Sequence, residues 1–163
     1  MITFDTGNLR FNYRVAGVVI DNGRVLLEQP EGWDLWSLPG GRGELLEPAG
    51  ETLKREMREE LGVEVIIDRL LWVVENFFTD NDFYTGERIS CHEIGLYFLI
   101  GLPEESYVAE LNEFPREEHG SKSVLKWHNL NHLNNIRLVP SFLQTALKQI
   151  PDNTEYILHT DEL

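Results

Sequence analysis

Cysteine is almost missing from this chain. Cys91 is the only one in 163 residues, so no disulfide can close within it and a disulfide framework is excluded. Basic residues are also scarce. Fourteen Lys and Arg stand against twenty-eight Asp and Glu, a formal charge of −14. Such a field repels phosphate, which argues against general binding to duplex nucleic acid or to an anionic membrane surface. Phosphate can be handled only where local cations, arginines or metal ions, bring it in. No apolar run approaches the roughly 20 residues that cross a bilayer, so no membrane partner is expected. The start, Met1-Ile2-Thr3-Phe4-Asp5, lacks the basic and apolar regions of a signal peptide. With one cysteine, this predicts a reducing, cytoplasmic setting.

What is present is globular. The chain is 42% hydrophobic and 26% charged, which excludes a disordered or collagen-like polymer. At roughly 150 residues per domain, one domain over 1–163 is expected. Arg14 to Ile20 and Val25 to Leu27 are β-like, and Asn22-Gly23 between them is a hairpin signal. Pro39-Gly40-Gly41 reads as a loop. Glu51 to Leu61 reads as a helix closed by Gly62. Val63 to Phe78 and Ile89 to Ile100 read as strands joined by a polar hairpin loop over Thr79–Arg88. Pro103 to Gly120 is acidic and irregular. Ser123 to His128 alternates again, Pro140 opens a second helix that Pro151 ends, and Glu155 to His159 is a last strand. Strands with one helix in the middle and another near the end predict an α+β sandwich.

The middle helix carries the chemistry. At about 100° per residue, Leu53, Met57 and Leu61 form an apolar stripe. Glu56, Glu59 and Glu60 fall within about a third of a turn on another face. Like charges at these spacings repel by a few tenths of a kcal/mol per pair. A divalent cation converts that repulsion into ligation, since hard carboxylate oxygens suit Mg²⁺ or Mn²⁺. A solvated glutamate face, partly neutralised by Arg55 and Arg58, is the plainer alternative from the helix alone.

The glycine loop and the helix together narrow this. Gly41, Glu47, Arg55, Glu56, Glu59, Glu60 and Gly62 occupy the fixed positions of G-x5-E-x7-R-E-U-x-E-E-x-G-U, with Met57 and Val63 at the aliphatic positions U. This segment resembles the Nudix box, and Leu38-Pro39-Gly40 before it also looks like that family. The resemblance implies an α/β/α sandwich around a mixed β-sheet. It implies a hydrolase that cleaves a nucleoside diphosphate linked to a moiety X, using divalent metal, Mg²⁺ or Mn²⁺. Carried over residue by residue, Glu56, Glu59 and Glu60 are metal ligands, with the carbonyl of Gly40 or Gly41. Arg55 would orient a glutamate, Glu47 above all. The general base would be Glu56 or an acid in a later loop, where Glu118 is the candidate.

Other residues bear on substrate and assembly. Phe83 and Tyr84, in a polar loop, are candidates for stacking on a base or for a subunit contact. Trp36 and Phe77 read as core. Arg14 is placed to reach a phosphate, or is an ordinary strand-end arginine. His92 interrupts an apolar strand as a satisfied buried histidine, or as part of an interface. The apolar strands point to a homodimer. Subfamily markers are missing: the position about fifteen residues past the box is Phe78, not proline, and no proline occurs between Pro48 and Pro103. The substrate is therefore left at a small nucleoside diphosphate linked to X. The alternative is a non-catalytic Nudix-fold sensor. Against it stand the three clustered carboxylates, whose repulsion a sensor has no reason to keep.

Overall fold

A computed structural model describes residues 1–82, 85–118 and 121–161, with Glu118 described in its backbone only. Strand β2 (Leu9–Asp21) is the axis of the fold. The hairpin foreseen at Asn22-Gly23 joins it to β3 (Arg24–Pro30), but the two strands pair only at Ile20↔Val25 and Asp21↔Arg24 before diverging. The rest of that edge of β2 is shared between β1 (Thr3–Thr6) and the three residues of β4 (Gly40–Arg42). Its other edge runs parallel to β6 (Arg88–Gly101), from Leu9↔Ser90 to Val19↔Ile100. Antiparallel β5 (Ile66–Asn81) follows, and β9 (Glu155–Asp161) lies parallel to it. Beyond the divergence, β3 pairs with β8 (Ser121–Asn129), which pairs with β7 (Glu113–Glu118). The sheet is mixed, ordered β7-β8-β3-β2-β6-β5-β9.

Period-two alternation along β2 sends side chains into two cores. Val15 and Val19 meet Leu53, Met57 and Leu61 of helix α1 (Ala49–Leu61), the stripe read from the sequence. Ala16 and Val18 face the other way, towards Leu133 of the short helical turn Leu130–Asn135 and towards Leu143 of α2 (Leu143–Ala146). Burying such a leucine contributes about 1.5–3 kcal/mol, so both faces must be covered and a sandwich results. The α+β class with an α/β/α arrangement around a mixed sheet is what is observed.

Four expectations need correction. Gly40-Gly41 is not a loop: its backbone pairs with Arg14–Ala16 as β4. Pairing, not residue preference, makes this strand. Arg14 does not begin a strand but sits in the middle of β2. The acidic stretch before Gly120 contains β7, whose Pro115 is tolerated because the strand is at an edge. The helix after Pro140 shrinks to one turn, since bonds such as Leu143 N–H to Pro140 O and Lys148 N–H to Thr145 O close over three residues on either side.

Candidate active site

The divergence of β2 from β3 opens a cleft against α1. It forms a cavity of about 690 Å³ whose lining includes Arg14, Glu28, Gly40, Gly41, Arg55, Glu56, Glu59, Glu60 and Arg116. Backbone contact sets its geometry. At Gly40, φ is +143°, and a Cβ would stand 2.2 Å from the Val15 carbonyl oxygen. Only glycine lets β4 lie this close to β2. At Gly41 a Cβ would stand 2.3 Å from the Glu56 carboxyl carbon, so its absence lets the helix carboxylate press against the strand.

Arg55 is the hub. It donates from Nε to Glu47 Oε1 at 3.0 Å and from Nη2 to Glu47 Oε2 at 3.1 Å, a two-pronged pair. Its Nη1 donates to Glu56 Oε1 at 2.7 Å and to Glu59 Oε2 at 3.4 Å. Arg55, with help from the Thr52 hydroxyl, brings the Glu47 carboxyl down to about 2. The expected orienting pair Glu47–Arg55 therefore sits together, with Glu56 and Glu59 bound to the same guanidinium.

The three clustered helix glutamates differ in burial. The Glu59 side chain is 41% exposed, that of Glu56 13% and that of Glu60 1%. Glu60 turns inwards, where Arg116 Nη1 of β7 donates to its Oε1 at 3.1 Å and to Glu28 Oε1 of β3 at 3.0 Å. Burial, and then the neighbouring Glu28 charge, push the Glu60 carboxyl well above the usual range. Its Oε2 has no hydrogen-bond partner among the described residues.

Glu28 and Arg116 went unnoticed in the sequence. The available signal was a lone acid ending the run Val25-Leu26-Leu27, on the same strand face as Leu26, which packs under α1. Arg116 had none, because its strand was not foreseen. Arg14 is brought to the cavity, with Nη2 donating to the Leu38 carbonyl at 3.0 Å. The Glu118 backbone lies opposite Ser121 at the end of β7, on the strand that carries Arg116 rather than in a loop. Phe83 and Tyr84 lie outside the described residues. Trp36 is core, but Phe77 is not: it is 36% exposed and stacks on His92, which bonds Glu75 at 2.9 Å and is itself only half-buried.

Among the described residues, no three acidic, histidine or cysteine side chains already converge as a metal cluster. Glu56 and Glu59 are bonded to Arg55, and Glu60 to Arg116, instead. The donor set still fits a divalent cation. It offers hard carboxylate oxygens, a vacant oxygen on buried Glu60, and a glycine strand whose missing Cβ admits the Glu56 carboxylate.

The NUDIX domain profile matches residues 11–149. The chain belongs to the Nudix family. It is accordingly a Nudix pyrophosphohydrolase, an enzyme acting on phosphoric anhydrides. It is 28% identical over 130 residues to the uncharacterized Nudix hydrolase YvcI of Bacillus subtilis, covering 78% of this chain and 72% of that one. Its fold is similar to that of an ADP-ribose pyrophosphatase from Streptococcus suis, with a TM-score of 0.59 at 19% identity, over 92% of this chain and 98% of that one. It is equally similar to a MutT protein of Bacillus halodurans, with a TM-score of 0.59 at 22% identity, over 91% and 89%. Nudix hydrolases generally use divalent metals and bind small nucleotide substrates. No helix among the described residues is long and apolar enough to cross a membrane.

Proposed function

We propose that this chain is a divalent-metal-dependent hydrolase that cleaves the diphosphate of a nucleoside diphosphate linked to a moiety X. The supporting observation is Glu60, a buried carboxylate with a vacant oxygen beside a second carboxylate, in a cleft that also holds Glu56 and Glu59. Glu56, Glu59 and Glu60, with the carbonyl of Gly40 or Gly41, would hold Mg²⁺ or Mn²⁺. When bound there, the cation would supply charge neutralisation for the diphosphate and Lewis-acid activation of water.

The chain's own residues do the rest. Arg55 orients Glu47, Glu56 and Glu59 through one rigid guanidinium. Arg116 compensates the buried charges of Glu28 and Glu60, so that Glu60 can stay in the cleft without a metal. Arg14 offers the substrate one of the few cations in an acidic molecule, and Phe83 and Tyr84 are the stacking candidates. Glu56 or Glu118 takes the proton of the attacking water. The chain works as one domain over 1–163, in the cytoplasm and as a homodimer. The dimer reading draws support from Tyr156 and Leu158 on edge strand β9, which are 61% and 65% exposed. The experiment is a panel of nucleoside diphosphate compounds assayed with Mg²⁺, Mn²⁺ or EDTA. Metal-dependent release of a phosphomonoester is expected, and nucleotide binding without turnover would favour the sensor alternative.

A further inference from the structure

Three side chains from three elements meet at the inner end of the glutamate cleft. Glu60 comes from α1. Glu28 of β3 lies two residues beyond Leu26, so it shares the sheet face that α1 covers. Arg116 of β7 stands opposite Ser123 of β8, which stands opposite Pro30, two residues beyond Glu28. Register therefore brings Arg116 to that face as well, and all three residues line the cavity of about 690 Å³.

One nitrogen joins the two acids. Arg116 Nη1 donates to Glu28 Oε1 at 3.0 Å and to Glu60 Oε1 at 3.1 Å. The three side chains are almost closed to solvent, with Arg116 and Glu28 12% exposed and Glu60 1%. The pairing is incomplete, because Glu60 Oε2 is enclosed and accepts no hydrogen bond among the described residues. An arrangement made only for stability has no reason to leave a buried oxygen without a donor. The enclosure also dictates how a cation approaches. With Oε2 sealed, Glu60 can be reached only through Oε1, the oxygen that Arg116 holds. Any cation on Glu60 must take the place of Arg116 Nη1, and the same move frees Glu28 Oε1.

We propose that Arg116 Nη1 marks the place of a divalent cation, and that Glu28 binds this cation together with Glu60. The inference rests on the reading of the helix glutamates as a metal site. It extends that set to β3, outside the segment Gly41–Val63. Hard carboxylate oxygens suit such an ion, which brings two charges where one guanidinium is divided between two acids. Arg116 also lines the adjoining cavity of about 910 Å³, with Trp33 and Lys122, so the guanidinium has space to turn into. In the metal-free chain it keeps Glu28 and Glu60 facing one point, and it competes with the ion for that point.

The test is the Mn²⁺ affinity of the chain, read from the EPR signal of free Mn²⁺, in the parent, Glu28→Gln and Glu59→Gln. Glu28→Gln keeps the size of the side chain and leaves Arg116 its bond to Glu60, so it should fold as the parent does, which a melting curve in EDTA checks. It should weaken Mn²⁺ binding by about tenfold or more, the scale on which a metal site responds to losing even a supporting group. Displacement is read in the parent by ¹⁵N NMR of the arginine side chains during titration with diamagnetic Mg²⁺. The Arg116 Nη signals, held apart while two carboxylates restrain the guanidinium, should shift and merge as Mg²⁺ saturates. Unchanged Mn²⁺ affinity in Glu28→Gln, or Arg116 signals unmoved at saturating Mg²⁺, would overturn the inference. If Glu59→Gln weakens binding and Glu28→Gln does not, the helix site stands and its extension to β3 alone falls. If the parent binds no Mn²⁺, both fall.

Discussion

Arg55→Met removes the guanidinium that ties three glutamates together. Its cost follows from Glu47, whose carboxyl is held at about 2 rather than 4.5, first by Arg55 and then by Thr52. Taken at face value that difference is worth roughly 3 kcal/mol. Solvent reaches both partners, with Arg55 28% and Glu47 20% exposed, so screening reduces it to about 1–2 kcal/mol. For a chain of this size that is a fall of about 2–8 °C in Tm at pH 7 without metal. A carboxyl depressed in the folded state stabilises it above the unfolded value near 4.5, and that stability is lost as pH falls towards 2. The gap between parent and Arg55→Met should therefore be full at pH 6–7, shrink below about pH 4.5, and be nearly gone near pH 2. Thermal unfolding followed by circular dichroism in EDTA, over every pH at which the parent refolds, measures it. A gap of constant size from pH 7 to pH 3 would refute the reasoning, as would equal stability at pH 7.

Arg116→Met should destabilise the fold by about 1–3 kcal/mol, because it leaves the buried carboxyls of Glu28 and Glu60 without their donor; urea unfolding measures this. Millimolar Mg²⁺ or Mn²⁺ should raise the Tm of the parent and do so less for Glu59→Gln and Glu60→Gln, and an unmoved parent Tm would refute the metal site. At saturating Mg²⁺, Glu118→Gln should lower kcat by roughly 10²–10⁴-fold with metal affinity intact if Glu118 is the base, whereas Glu56→Gln should cost most if Glu56 is. Burial pushes the Cys91 thiol up to about 11, so alkylation at pH 8 should require unfolding, and rapid labelling of the native chain would contradict its core placement.

Much of this architecture is legible in local sequence. The stripe Leu53-Met57-Leu61 and the Gly62 stop define α1, and Asn22-Gly23 defines the first hairpin, because period and turn chemistry act over a few residues. Elements made by partners are not legible in this way. β4 exists because glycines can lie against Val15, and β7 because its register with β8 outweighs three glutamates and a proline. The site divides along the same line. Glu47, Arg55 and the helix glutamates lie within one short segment and are visible by spacing. Glu28 and Arg116 come from strands 88 residues apart and meet only through β8, so no local pattern could announce them. The helical wheel put the three glutamates on one face, yet Glu60 is buried and Glu59 is not, since burial depends on β3 and β7 packing against that face.

The most direct test is ³¹P NMR of the purified chain with a panel of nucleoside diphosphate compounds, run with Mg²⁺ and again with EDTA. Metal-dependent conversion of a diphosphate to two phosphomonoester signals, abolished in Glu59→Gln at limiting metal, is the expected result. Turnover that persists in EDTA, or that Glu59→Gln leaves unchanged at limiting metal, would contradict the assignment of the glutamate cleft.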